Sequence, residues 1–140
     1  MSVAIWINRL QDGEITSDQE DRLFVLKHAS KLDKVCQKLG VKPLSSFHDT
    51  TDAEMNVMGL EDQSDEVDFH QLISERGKWF NPQAGVDVLG ELLADLEREP
   101  IRFGLLSNDY DDVMADLAAC KSAIEFAQAA GARFHMSIVM

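Results

Sequence analysis

Apolar positions alternate at both ends of the chain and recur with helical spacing between them. Over residues 2–8, Val3, Ile5 and Ile7 share one side and Ala4 and Trp6 the other, the period-two pattern of a β-strand. Gln11, Asp12 and Gly13 break the pattern. Ser17 with Glu20 three residues later has the form of a capping box, so a first helix is expected to start there. Val25, Ala29, Leu32, Cys36 and Leu39 then form one apolar stripe, and Gly40 supplies a left-handed stop.

A second helix is expected from Asn81-Pro82, a cap followed by a residue preset for the first turn. Its stripe reads Val86, Leu89, Leu92, Leu93 and Leu96, and Pro100 ends it. Ile101–Leu106 reads as a short strand, and Ser107 or Asn108 as the cap of a third helix carrying Val113, Leu117, Cys120, Ile124 and Ala127 up to Gly131. A closing strand over 133–140 puts Phe134, Met136, Ile138 and Met140 on one face and His135 on the other. The sum is an α+β fold: three main amphipathic helices packed on one face of a small sheet that includes the N- and C-terminal strands, in a single domain over 1–140.

A chain of 140 residues buries enough surface, about 68% by general scaling, to need no metal or disulfide staple. Its 13 Lys+Arg against 25 Asp+Glu give a net charge of −12, which argues against a nucleic-acid binder or a basic membrane-surface protein. The first residues lack a basic leader, and no apolar run reaches the 18 or so residues of a membrane span, so a cytoplasmic protein is expected. Cys36 and Cys120 lie on apolar stripes without metal-ligand spacing and are expected to be buried free thiols. No glycine-rich phosphate loop follows the first strand, and no cofactor is expected.

Charge is distributed unevenly. Pro43 to Glu75 holds nine Asp or Glu residues and no Lys or Arg. Thr51 and Glu54 suggest a second capping box opening a short helix through Met55 and Met58 to Gly59, the rest being loop held along the domain by Val57, Leu60, Val67, Phe69, Leu72 and Ile73. A merely soluble surface intersperses both signs, whereas a one-signed belt steers cationic partners and repels anionic ones. The candidate partner-binding set is therefore Asp49, Asp52, Glu54, Glu61, Asp62, Asp65, Glu66 and Asp68, with Trp79 of the Trp79-Phe80 pair as either a core plug or an apolar anchor.

The leading expectation is a non-enzymatic binder of a basic protein partner, of the kind that blocks a nuclease groove with carboxylates. The aromatic pair before Asn81-Pro82, the two helices after it and the Arg133-Phe134-His135 strand are similar in general look to small uncharacterised bacterial proteins of that broad type. Two rivals stand beside it. His48, Asp49, Asp52 and Glu54 could share a divalent cation in a small metal-dependent hydrolase, and with His28 the His48-Asp49 pair resembles the dyad of HD-type phosphohydrolases. The pair stands between Ser45-Ser46 and Thr50-Thr51, turn and cap residues and not a helical array, so no metal is expected there. A self-associating module is the other rival, since a small sheet has open edges.

Overall fold

The structure, a computed structural model, describes residues 3–57 and 69–140. Strand β1, Ala4–Gln11, turns through Asp12 and Gly13 into β2, Glu14–Ser17. Both turn residues have positive φ, 53° and 79°, as a two-residue hairpin requires, and Asp-Gly is the dipeptide that tolerates it. The expected capping box at Ser17 is therefore a strand end. Its hydroxyl accepts from Gln19 N, and the chain makes one further bridge, Ile5 to Arg22, before any helix starts. The first helix comes as two pieces, α1 (Leu23–Lys27) and α2 (Ala29–Leu39), joined at His28. Gly40, at φ 72°, ends α2 as its sequence predicts.

A 3-10 turn, Leu44–Phe47, leads to the two-residue strand β3, His48–Asp49, and to the helix α3, Thr51–Val57. A second helix lies in the stretch read as loop: α4, Phe69–Arg76. Then come α5 (Pro82–Arg98), α6 (Tyr110–Ala129) and β4 (Arg133–Val139). Six helices and a mixed four-stranded sheet among the described residues make an α+β fold, with more helices than the three expected. The sheet order is β2-β1-β4-β3; β1 runs antiparallel to β4 from Ala4 opposite Val139 to Leu10 opposite Arg133, and β3 parallels β4. No described helix is long and apolar enough to cross a membrane.

That register sorts side chains between two faces. Ile5 and Ile7 lie on the same side as Ile138 and Met136, and this side packs on the main core with Leu32, Cys36, Leu89, Leu92, Leu96, Phe103, Leu117, Cys120 and Ile124. The α6 stripe is fully buried as expected, but the α5 stripe is rotated. Val88, Leu89, Leu92 and Leu96 are its buried line, with Gly85, while Val86 and Leu93 pack at the margin. The rotation follows from Gly85, over which the Phe134 ring sits so closely that a Cβ would fall 2.5 Å from it. The expected strand over 101–106 is absent. Phe103 is buried, but Gly104 takes φ 108° and Leu105 and Leu106 stand wholly exposed, a looped path without strand alternation. Asn108 closes that loop, accepting from Phe103 N and Tyr110 N, while Asp109 is the residue that precedes α6.

Candidate functional site

The opposite face of the sheet is polar. Asn8 and Trp6 of β1 stand beside His135 and Ser137 of β4, and Asp49 of β3 is level with Ser137. Asn8, Asp49, His135 and Ser137 are all buried. The cover is α3, against β4, and α4, against β2. Their Met55 and Ile73 are buried yet belong to no part of the main core. His135, expected at the surface or in a second layer, is fully enclosed because a second set of helices lies over this face.

Asp49 organises the seam. One carboxylate oxygen accepts from Thr51 Oγ1 at 3.1 Å and from Lys78 N at 3.0 Å, and the other accepts from Thr51 N at 3.2 Å. A single buried side chain thus holds the entry to α3 and the exit from α4. The capping box expected at Thr51 is displaced by this contact: Thr50 is the residue whose hydroxyl reaches Glu54, at 2.9 Å.

His135 holds the other side of the same junction. Its Nδ1 lies 3.0 Å from the carbonyl oxygen of Lys78, which can only accept, so Nδ1 carries the proton. Nε2 then accepts from Asn8 Nδ2 at 3.0 Å. The neutral ring satisfies both neighbours. Burial depresses the affinity of His135 for a further proton, against the pull of Asp49 at 3.8 Å and of the Lys78 carbonyl. Trp79 stacks on the ring at 3.8 Å and 15° and donates its indole N–H to Ser74 O. Phe80 pairs with Phe134 and so turns to the apolar side, against Phe47 and Phe134. The two adjacent aromatics serve different faces.

Of the candidate partner-binding residues, Glu61, Asp62, Asp65, Glu66 and Asp68 lie outside the described residues. Glu54 is exposed and Asp52 half-buried on α3, while Asp49 is turned inward at 4% exposure and is a clasp within the fold. The residues weighed as metal ligands diverge: His48 shares the side of Met136, Asp49 that of Ser137, and Glu54 is engaged by Thr50. Among the described residues no three His, Cys, Asp or Glu are grouped to hold a metal ion. Desolvation lowers the affinity of His48 for a proton, against the pull of Asp33, and its Nε2 is buried without a partner among the described residues. Ser137 Oγ is buried likewise, and the His135 nitrogen nearest to an acid-base role is occupied by Asn8, so the Ser-His-Asp content of the seam is not arranged as a nucleophile with its base.

A second Asp–His contact joins residues 81 apart in the sequence, a distance no local pattern spans. Asp109 Oδ2 lies 2.8 Å from His28 Nε2 and 2.9 Å from Lys27 Nζ, and these two donors hold its carboxyl below the usual carboxylate range. The junction joins α1 and α2 to the base of the 101–109 loop. Lys27, Lys31, Lys34, Lys38 and Lys42 recur at helical spacing on exposed positions, a basic stripe whose 4, 3, 4, 4 steps are readable in the sequence. It precedes the acidic segment in the sequence and accounts for five of the 13 basic residues.

Comparison with known protein families, with curated proteins and with solved structures found no match to this chain.

Proposed function

We propose that the chain is a non-enzymatic binder of a basic protein surface, inhibitor-like in action, with the acidic run between α3 and α4 as its contact. The observation that carries the reading is the Asp49 clasp. Thr51 and Lys78, at the two ends of a stretch that contains eight of the nine acids and, apart from Arg76, no Lys or Arg, are tied to one buried carboxylate. Holding both ends reduces the freedom the segment would lose on binding, which favours affinity without added contacts. The run of lysines over 27–42 supports the same division of labour, because along the sequence it gathers cations ahead of the acids and not among them. Trp79 enters this reading as the packing that seats the clasp on His135, and the contact itself rests on Asp52, Glu54, Glu61, Asp62, Asp65, Glu66 and Asp68.

The test is affinity capture on the immobilised chain with elution by a salt step, followed by stopped-flow mixing with the protein recovered. A basic partner is expected, with an association rate that falls steeply as the screening length shrinks from about 30 Å at 0.01 M salt to about 8 Å at 0.15 M. Joint reversal of Asp62, Asp65 and Glu66 to Lys should slow association, whereas reversal of the exposed Glu91 and Glu97 on α5 should not. An acidic partner, or equal effects of the two reversals, overturns the reading.

A further inference from the structure

We propose that His135 is a proton-operated latch for α3 and α4: when its ring takes a second proton, the Lys78 junction loosens and these two helices leave the polar face of the sheet while α5 and α6 stay in place. The inference rests on the functional reading above only for its consequence, since the helices concerned flank the acidic run. Its geometry stands on its own.

Lys78 is held from both sides. Its N–H donates to Asp49 at 3.0 Å and its carbonyl accepts from His135 Nδ1 at 3.0 Å. The neutral ring can serve that carbonyl and accept from Asn8 at once. A second proton must go to Nε2, and there it meets the Asn8 amide N–H at 3.0 Å, so two donors face each other in a buried site. The positive ring also draws on Asp49, whose Oδ2 lies 3.8 Å from Nδ1 and already accepts from Thr51 N, while its Oδ1 accepts from Thr51 Oγ1 and Lys78 N. Any move of ring or carboxylate to relieve this strips a bond from the junction. Little slack exists around it: a Cβ at Gly77 would lie 3.3 Å from both His135 Cε1 and Trp79 Nε1.

The other charges on the elements packed here are differently placed. Glu54 on α3, Glu75 and Arg76 on α4, and Lys78 are exposed; Asp52 on α3 is half-buried; and His70 on α4 is a further titratable group, controlled for below. The apolar face behaves otherwise, because α5 and α6 are held by fully buried Leu89, Leu92, Leu117 and Ile124. Loss of the polar seam leaves that packing untouched, which is what makes opening local and not global.

Hydrogen exchange read by mass spectrometry on the full chain at pH 7.5, 6.5 and 5.5, corrected for intrinsic rates, tests the latch without any partner. Between pH 6.5 and 5.5 the amides of 51–57 and 69–78 should exchange faster by up to about tenfold, the limit for one linked proton, with 85–96 and 113–127 unchanged. In the Trp6→Phe protein, Trp79 is the single indole and its emission should change over the same range as the stack on His135 is lost. His135→Asn should abolish both responses, and His48→Asn and His70→Asn should keep them. Asn8→Asp, which offers Nε2–H an acceptor and so lets the closed seam hold the charged ring, should weaken or abolish the response, a check that stands even if the His135 variant folds poorly. A flat pH response, one shared equally by α5 and α6, or one retained in His135→Asn overturns the latch. None of these outcomes depends on the acidic run binding a basic protein, and a failed capture experiment leaves them unchanged.

Discussion

The sheet is covered on both faces, with opposite chemistry. On one side Ile5, Ile7, Phe134 and Met136 meet the leucines of α5 and α6, and each contact is non-directional and indifferent to pH. On the other, Asn8, His135, Lys78 and Asp49 form a short directional chain of hydrogen bonds. The first face supplies stability by area; the second fixes where α3 and α4 dock, at the cost of depending on a protonation state.

The largest effect expected is on the apolar face. Leu92→Ala, at a fully buried position, should cost roughly 2 to 5 kcal/mol in urea denaturation, and Leu93→Ala, one residue away at the margin, clearly less. Equal losses would mean that α5 is rotated from the observed stripe. Next comes Asp49→Ala, which strands Thr51 N and Lys78 N inside the seam and should cost about 2 to 4 kcal/mol, on the scale of hydrogen bonds to a charged group. A loss below about 0.5 kcal/mol, the size of a surface change, would show that the clasp does not hold.

A smaller effect is the pH dependence of global stability, to which His135 on the polar face and His48 on the side of Met136 both contribute. His48 and His135 bind protons less readily folded than unfolded, so below about pH 6.5, the ordinary histidine value, the unfolded chain holds more protons and stability falls as pH drops. Urea midpoints at pH 7.5 and 5.5 should differ in the native sequence and draw together in the His48→Asn, His135→Asn double variant. Asp109 acts in a lower window: its carboxyl is depressed by His28 and Lys27, so its contribution is present above the ordinary carboxylate value and is lost as pH falls through its lowered one. Asp109→Asn should flatten the acid limb and leave the change between pH 7.5 and 5.5 in place. The smallest effect is chemical. Burial pushes the Cys120 thiol up to about 12 and Cys36 upward too, so a disulfide reagent at pH 8 should label both only on unfolding.

These two faces were unequally legible. The α6 stripe, the stop at Gly40, the Asn81-Pro82 start and both terminal strands follow from periodicity and end chemistry, because each is decided by residues within one or two turns. The Asp12-Gly13 hairpin is also written in the chain, as a dipeptide suited to paired positive φ, but alternation resumes over only four residues, too few to announce a second strand. Helix α4 lay hidden in a stretch whose acids suggested loop. Its one fully described buried apolar residue, Ile73, faces a seam and not the main core, so no long stripe announces it.

By itself the sequence determined the fold class, the apolar stripe of α6, the buried thiols and the segregation of acids from bases, all properties of local order and composition. Only the tertiary structure decided that Trp79 and Phe80 part to opposite faces, that Asp49 is a clasp and not a surface charge, and that His135 is neutral. The reason is physical: the roles of Asp49 and His135 depend on donors and acceptors at positions 8, 51 and 78, and a hydrogen bond's partner is chosen by distance in space, which strand register sets and sequence spacing does not.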